Sequence, residues 1–283
     1  MTLLEGRTFF RDQLKPLYEI DEIDFYYKTV LKYFFSIEAV ELALTPHKKL
    51  TAHQKKRIVN AASELKNHKP LQYIIGKTEF RSIEILLSPD VLIPRPETEE
   101  LVEWILEDHK GLTQSKKLID LGTGSGCIAI ALSKAQSLFE VKGVDINTKA
   151  LQIASKNGVL NQVDIDWVCH DLSHWETLKI PTDIIVSNPP YITPTEKSEM
   201  KKNVLDYEPH LALFVDENDP LFFYRMVLNY AENQLSHGGR IYFEVNPLFV
   251  ESLISLSQSE FNYRCSERMD IFGKRRMLQL QKV

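Results

Sequence analysis

Only a strand that turns sharply into a helix accommodates the run Leu118-Ile119-Asp120-Leu121-Gly122-Thr123-Gly124-Ser125-Gly126. Short apolar strand character runs straight into three glycines in five positions, and a helical period follows over 127–135. Glycines there let the backbone bend tightly and let a ligand approach it closely, beside a helix N-terminus. Further short strands follow at 141–145, 165–169, 183–187 and 240–245, with helical patterns at 147–157 and 221–234. Strands that alternate with helices imply right-handed crossovers, so the fold class is α/β with a doubly wound, mostly parallel sheet. Segments 263–268 and 277–281 read as a closing antiparallel pair.

Residues 1–75 lack this alternation. Ile23, Tyr26, Tyr27, Val30, Leu31 and Phe34 recur at three- and four-residue spacing, which predicts a small N-terminal helical domain. It carries 12 Lys and Arg against 9 Asp and Glu, a surplus of 3 in a chain of net charge −5. Lys48, Lys49, Lys55, Lys56 and Arg57 form a basic cluster, either a solvated helix face or a docking surface for an acidic partner or RNA. Alternation through Phe80, Ile83 and Ile85 predicts a β-hairpin linker over 76–92, and Pro94 and Pro96 introduce a second domain over 93–283. An acidic balance excludes a general nucleic-acid binder, so no stable nucleic-acid binding is expected. Three scattered cysteines without CxxC spacing exclude a disulfide scaffold and fit a reducing, cytoplasmic setting. No secretory pattern opens the sequence, and no apolar run reaches the ~18 residues of a membrane span.

The glycine loop by itself could cradle a pyrophosphate or the amino-acid part of S-adenosylmethionine (AdoMet). Its spacing is GxGxG, where dinucleotide sites have GxGxxG. Asp145 closes the second strand, where a carboxylate can accept both ribose hydroxyls of either ligand. Asp120 favours AdoMet, because a carboxylate repels a pyrophosphate and attracts an ammonium or sulfonium. Asp171 follows the third strand; it can accept from an adenine amino group or cap a helix.

The fourth strand ends in Ser187-Asn188-Pro189-Pro190-Tyr191. At about one in twenty per residue, NPPY arises by chance in about 0.002 of chains this long. Methyl transfer from a sulfonium is an in-line displacement, so alignment is the main task. A planar amide or ring nitrogen is a weak nucleophile; the Asn188 oxygen and the Pro189 carbonyl can hold its N–H groups and aim it. Pro190 and Tyr191 offer flat surfaces to a flat group. The substrate atom is then an exocyclic amine of a base or a side-chain amide.

With these motifs, the chain resembles the HemK/PrmC family of protein-(glutamine-N5) methyltransferases that act on peptide chain release factors. The resemblance rests on Pro70-Leu71-Gln72-Tyr73-Ile74-Ile75-Gly76, Ile93-Pro94-Arg95-Pro96-Glu97-Thr98-Glu99, the glycine loop, NPPY, Tyr207-Glu208-Pro209, and Asp270 with Phe272-Gly273-Lys274. It covers nearly the whole chain and implies a Rossmann-like class I AdoMet-dependent methyltransferase. Gly122, Thr123, Gly124, Ser125, Gly126, Asp145, Asp171, Leu172 and Asn188 would bind AdoMet. Asn188, Pro189, Pro190 and Tyr191 would hold and align the glutamine of a Gly-Gly-Gln loop. The helical domain would dock the release factor, and nothing in the sequence demands more than a monomer. Arg95 and Glu97 either shape the substrate entrance or form a structural salt bridge. Leu172 stands where many members carry an aromatic, His210 replaces a common arginine, and Asp219-Pro220-Leu221 replaces the more usual Asp-Gly-Leu.

The main alternative is an amino-methyltransferase acting on adenine or cytosine of DNA or RNA, which shares NPPY. Such an enzyme needs a target-recognition domain and a basic face; the catalytic part is acidic overall, and no spare domain of that size is expected. An NAD-dependent oxidoreductase leaves NPPY unexplained, and nothing in the sequence supports a non-catalytic binding protein. No metal is expected: His170 and His174 lack a third ligand. Cys127, inside the helix after the glycine loop, reads as packing.

Overall fold

Two of the N-terminal helices begin on threonine caps. Thr2 with Glu5, and Thr51 with Gln54, exchange side-chain and backbone hydrogen bonds in capping boxes, which satisfies donors that a helix start leaves orphaned. The computed structural model describes residues 1–283. Its first helices are α1 (Leu3–Leu14), α2 (Ile20–Phe35), α3 (Ala39–Leu44), α4 (Ala52–Lys66) and α5 (Leu71–Ile75). Ile23, Tyr27, Val30 and Leu31 share a core with Leu3, Phe10, Leu14, Ile58 and Leu65, while Tyr26 and Phe34 are half-buried at its edge. Gly6 lets α1 approach α2, since a Cβ there would lie 2.4 Å from the Tyr27 hydroxyl oxygen. That hydroxyl donates to the Leu3 carbonyl at 2.7 Å. Of the basic cluster, Lys48 pairs with Glu41 and Arg57 stacks 4.1 Å over the Phe34 ring.

The chain divides into two compact units, Met1–Lys77 with Lys201–Tyr207, and Thr78–Met200 with Glu208–Val283. The sequence reading placed 201–207 in the second domain. In the structure this segment belongs to the helical unit, where the Tyr207 hydroxyl donates to the Asn67 carbonyl at 2.7 Å.

The second unit begins at Thr78, within the hairpin β1 (Lys77–Phe80) and β2 (Ile83–Leu86). After it come α6 (Pro96–Asp108), β3 (Lys116–Leu121), α7 (Cys127–Ala135), β4 (Phe139–Asp145), α8 (Thr148–Asn161), β5 (Asp166–Cys169) and β6 (Thr182–Ser187). The chain continues through α9 (Lys202–Tyr207) in the helical unit, then α10 (Phe222–Gln234), β7 (Leu235–Glu244), α11 (Val250–Ser259), β8 (Tyr263–Met269) and β9 (Arg275–Lys282).

Seven strands form one sheet in the order β5-β4-β3-β6-β7-β9-β8. The first five are parallel, and β9 runs antiparallel to both of its neighbours β7 and β8, which makes the mostly parallel, doubly wound sheet the sequence predicts. Ile119, Leu121, Ile185, Ile241 and Phe243 alternate onto one face and share a core with α10 and α11.

Three local features differ from the sequence reading. β7 starts five residues before 240, because Thr182 pairs with Leu235 and Ile184 with Arg240, leaving a bulge that carries Gly238 and Gly239. α8 continues past Asn157 to Asn161 even though Asn157-Gly158 resembles a helix stop. Both asparagines are buried and bonded to the hairpin: Asn157 accepts from the Leu86 N–H at 2.7 Å, and Asn161 donates to the Glu84 carbonyl at 2.8 Å. The hairpin is thereby fastened to α8 rather than strung as a free linker over 76–92.

Candidate active site

β3 and β6 are neighbours at the point where strand order reverses. In an open α/β sheet the carboxyl ends of such strands flank the ligand crevice. The glycine loop leaves β3 and the NPPY segment leaves β6, and the Ser187 hydroxyl joins them by donating to the Leu121 carbonyl at 2.7 Å. A cavity of 360 Å³ opens there.

The loop is pinned from one side and open on the other. The N–H groups of Gly122 and Thr123 both donate to the Val144 carbonyl at 2.9 Å, and that of Gly124 donates to Asp145 Oδ2 at 2.8 Å. Gly122 and Gly124 have φ of +78° and +54°, and nothing lies within 4 Å of where a Cβ would stand. With Thr123, Ser125 and Asp145 they line the cavity. This cradle, with a buried carboxylate at its rim, fits the amino-acid and ribose parts of AdoMet. Asp145 also accepts from the Asn147 N–H at 2.8 Å, and burial raises its carboxyl above the ordinary value.

Not every predicted residue faces the cavity. Asp171 and Leu172 do, although Asp171 Oδ1 caps its own turn by accepting from the Ser173 N–H at 2.8 Å, which lowers its carboxyl. Gly126 does not line it: a Cβ there would meet Trp167 at 2.8 Å, so this glycine serves packing against β5 and α8. Asp120 lies fully buried outside the lining, accepting from the Thr123 hydroxyl at 2.6 Å, and burial pushes its carboxyl up to about 7. Its tie is to the loop. Burial likewise pushes the Cys127 thiol up to about 12, and Cys127 lines the cavity.

Asn188, Pro189 and Pro190 line the cavity opposite the loop's own residues, and Tyr191 does not. The Asn188 Nδ2 donates to Glu244 Oε2 at 3.0 Å and to Thr98 Oγ1 at 3.3 Å. Its carbonyl oxygen is left for a ligand. The Tyr191 hydroxyl turns inward and donates to Glu244 Oε1 at 2.9 Å, while Arg276 donates to that hydroxyl at 3.3 Å. Arg276 is in turn held by buried Asp270 at 2.9 Å. Arg95 lines the cavity and pairs with buried Glu208 at 2.5 Å, so it forms a salt bridge at the site itself.

Glu244, Thr98 and Arg276 were missed as site residues. A signal existed for Glu244, a lone carboxylate in the apolar strand segment Ile241-Tyr242-Phe243-Glu244-Val245, where a buried parallel strand reads as continuously apolar. Thr98 falls within the 93–99 stretch, but neither it nor Arg276 carries a signal of this role, because only the fold brings them to Asn188 and Tyr191.

Known proteins resemble the chain in both parts. Residues 98–206 match the methyltransferase small domain, and residues 7–76 match the PrmC N-terminal domain. A release factor glutamine methyltransferase of Flavobacterium psychrophilum is 41% identical over 99% of this chain and 99% of its own length. Its counterpart in Bacteroides thetaiotaomicron is 36% identical over 95% of this chain and 96% of its own. Among solved structures, a methyltransferase from Pyrococcus furiosus superposes with a TM-score of 0.50 at 15% identity, covering 82% of this chain and 99% of that one, a likeness of fold. The class I methyltransferase fold agrees with the sheet order and with the glycine loop after β3. With relatives matching from end to end, the chain belongs to the release factor glutamine methyltransferase family.

Proposed function

We propose that this enzyme methylates the side-chain amide nitrogen of the glutamine in the Gly-Gly-Gln loop of peptide chain release factors. The observation that carries the reading is the Asn188 amide, whose nitrogen is tied to Glu244 and Thr98 while its oxygen is left free at the cavity. A primary amide offers two N–H donors, and the Asn188 oxygen and Pro189 carbonyl are two acceptors on adjacent residues. AdoMet, when bound, supplies the methyl group: the carbon–sulfur pair stays with sulfur as the amide nitrogen bonds the carbon and sheds a proton. Gly122, Thr123, Gly124, Ser125 and Asp145 hold the donor, and Asp171 and Leu172 line the same cavity. Asn188 and Pro189 orient the amide, and the stiff Pro189-Pro190 pair fixes both acceptors before substrate arrives.

The helical domain over 1–75 docks the release factor, and 93–283 carries out transfer. The free cysteines Cys127, Cys169 and Cys265 support action in the cytoplasm. The test is methyl transfer from labelled AdoMet to a purified release factor, beside a version with the loop glutamine changed to alanine, duplex DNA and total RNA. Label on the unaltered factor alone is the expected result. Label on nucleic acid with the factor untouched moves the substrate to a base amine. Asn188→Ala should cut turnover by about 10²–10³ at little cost in folding.

A further inference from the structure

An asparagine amide can sit either way round, and its neighbours decide which. Thr98 has one hydroxyl hydrogen and commits it to Glu244 Oε2 at 2.6 Å, so towards Asn188 it can only accept. The other neighbour of the Asn188 nitrogen is Glu244 Oε2, also an acceptor. A reversed amide would set its oxygen against two acceptors. Glu244 Oε1 meanwhile takes the Tyr191 hydroxyl. One buried carboxylate therefore accepts from the first and the last residue of NPPY.

We propose that Glu244 is a positioning residue for methyl transfer: as a carboxylate it fixes the Asn188 amide with oxygen towards the substrate nitrogen, and strengthens that oxygen as an acceptor. The proposal rests on the glutamine-amide reading above and deepens it. A charge-assisted bond from Nδ2 polarises the amide and moves electron density towards its oxygen. As the substrate nitrogen takes up a methyl group, its lone pair leaves amide resonance and its N–H hydrogens become more positive. An acceptor strengthened at that point favours the transition state over the ground state.

The groups that set the charge of Glu244 come from several elements. Burial raises its carboxyl most; bonds from Thr98 and Tyr191 lower it, Arg276 on β9 lowers it, and Glu97 on α6 raises it. Tyr224 on α10 and Cys127 on α7 also lie in its field and stay neutral, as burial raises both.

Glu244→Gln keeps the size and removes the charge. The experiment measures kcat and KM on a release factor across pH, AdoMet affinity by calorimetry, and thermal unfolding, with the unaltered enzyme alongside. Expected are a kcat at least tenfold lower and an AdoMet Kd within twofold of that of the unaltered enzyme. A kcat equal to that of the unaltered enzyme, or an AdoMet affinity that falls in step with kcat, overturns the proposal. Should Glu244→Gln not fold, Thr98→Val decides, since it removes one of the two acceptors and leaves the charge. It should lower kcat severalfold at constant AdoMet affinity, and an unchanged kcat overturns the proposal. If the unaltered enzyme transfers nothing to the factor, the glutamine reading fails first and this assignment falls with it.

Discussion

Three glycines within five positions of one loop do two different jobs. Gly124 presents empty space where a side chain would stand, whereas Gly126 has the Trp167 ring at 2.8 Å from that position. Both have positive φ, so an alanine is strained at either. At Gly124 the added methyl also enters the cavity that the donor occupies. Gly124→Ala should therefore weaken AdoMet binding at least tenfold with a loss of stability of about 1 kcal/mol. Gly126→Ala adds overpacking to the strain, and should lower stability by about 2–4 kcal/mol. Calorimetric titration and thermal unfolding of the two variants separate these outcomes; equal profiles would mean that the loop acts as one rigid piece. Asp145→Ala removes the acceptor of the Gly124 N–H as well as the proposed ribose contact, and should weaken donor binding while the sheet stays intact.

At the scale of elements, α8 holds the glycine loop and the hairpin together. Asn157 Nδ2 donates to the Ser125 carbonyl at 2.9 Å and to the Leu86 carbonyl at 3.1 Å, and its Oδ1 accepts from Leu86. Asn157→Ala leaves the buried Ser125 carbonyl and the half-buried N–H and carbonyl of Leu86 without this partner, at about 1–3 kcal/mol for each one that finds no water. We expect a fall in melting temperature together with weaker AdoMet binding, measured on one sample; a fall in stability alone would show that the Ser125 bond does not shape the loop. These side chains also mark where the sequence stops being readable. The strands, the glycine turn and Asn188 were legible because each is encoded within a few residues, by apolar runs, positive-φ glycines or a rare tetrapeptide. Asn157 read as a helix end, since asparagine disfavours helix interiors until a tertiary partner takes its amide. The inward turn of Tyr191 was equally hidden, because its partner Glu244 is 53 residues away. Asp120 was read as facing a bound cation, and the fold instead encloses it with Thr123.

Over the whole molecule, the two units carry buried carboxylates that respond to pH in opposite directions. In the helical unit Asp24 accepts from Arg7 and Arg11, whose hydrogen bonds hold its carboxyl well below the ordinary value. Its contribution to stability is complete above about pH 4 and is lost as pH falls further. In the catalytic unit Asp120 lies at about 7 against an ordinary 3.8, because burial penalises its charge. The folded unit then keeps a proton that the unfolded chain has already released. This contribution is complete below about pH 4 and drains away as pH rises through 7. The three-unit difference corresponds to on the order of 4 kcal/mol. Trp104, Trp167 and Trp175, the only tryptophans, all lie in the catalytic unit, so their fluorescence follows its unfolding separately from the helical unit. The melting temperature read this way should fall from pH 4.5 to pH 7.5 more steeply in the unaltered protein than in Asp120→Asn, which has no proton to lose. Parallel curves would mean that Asp120 is already ionised at pH 4.5. In that case the neighbours of the glycine loop stabilise a buried charge even without the cationic methyl donor.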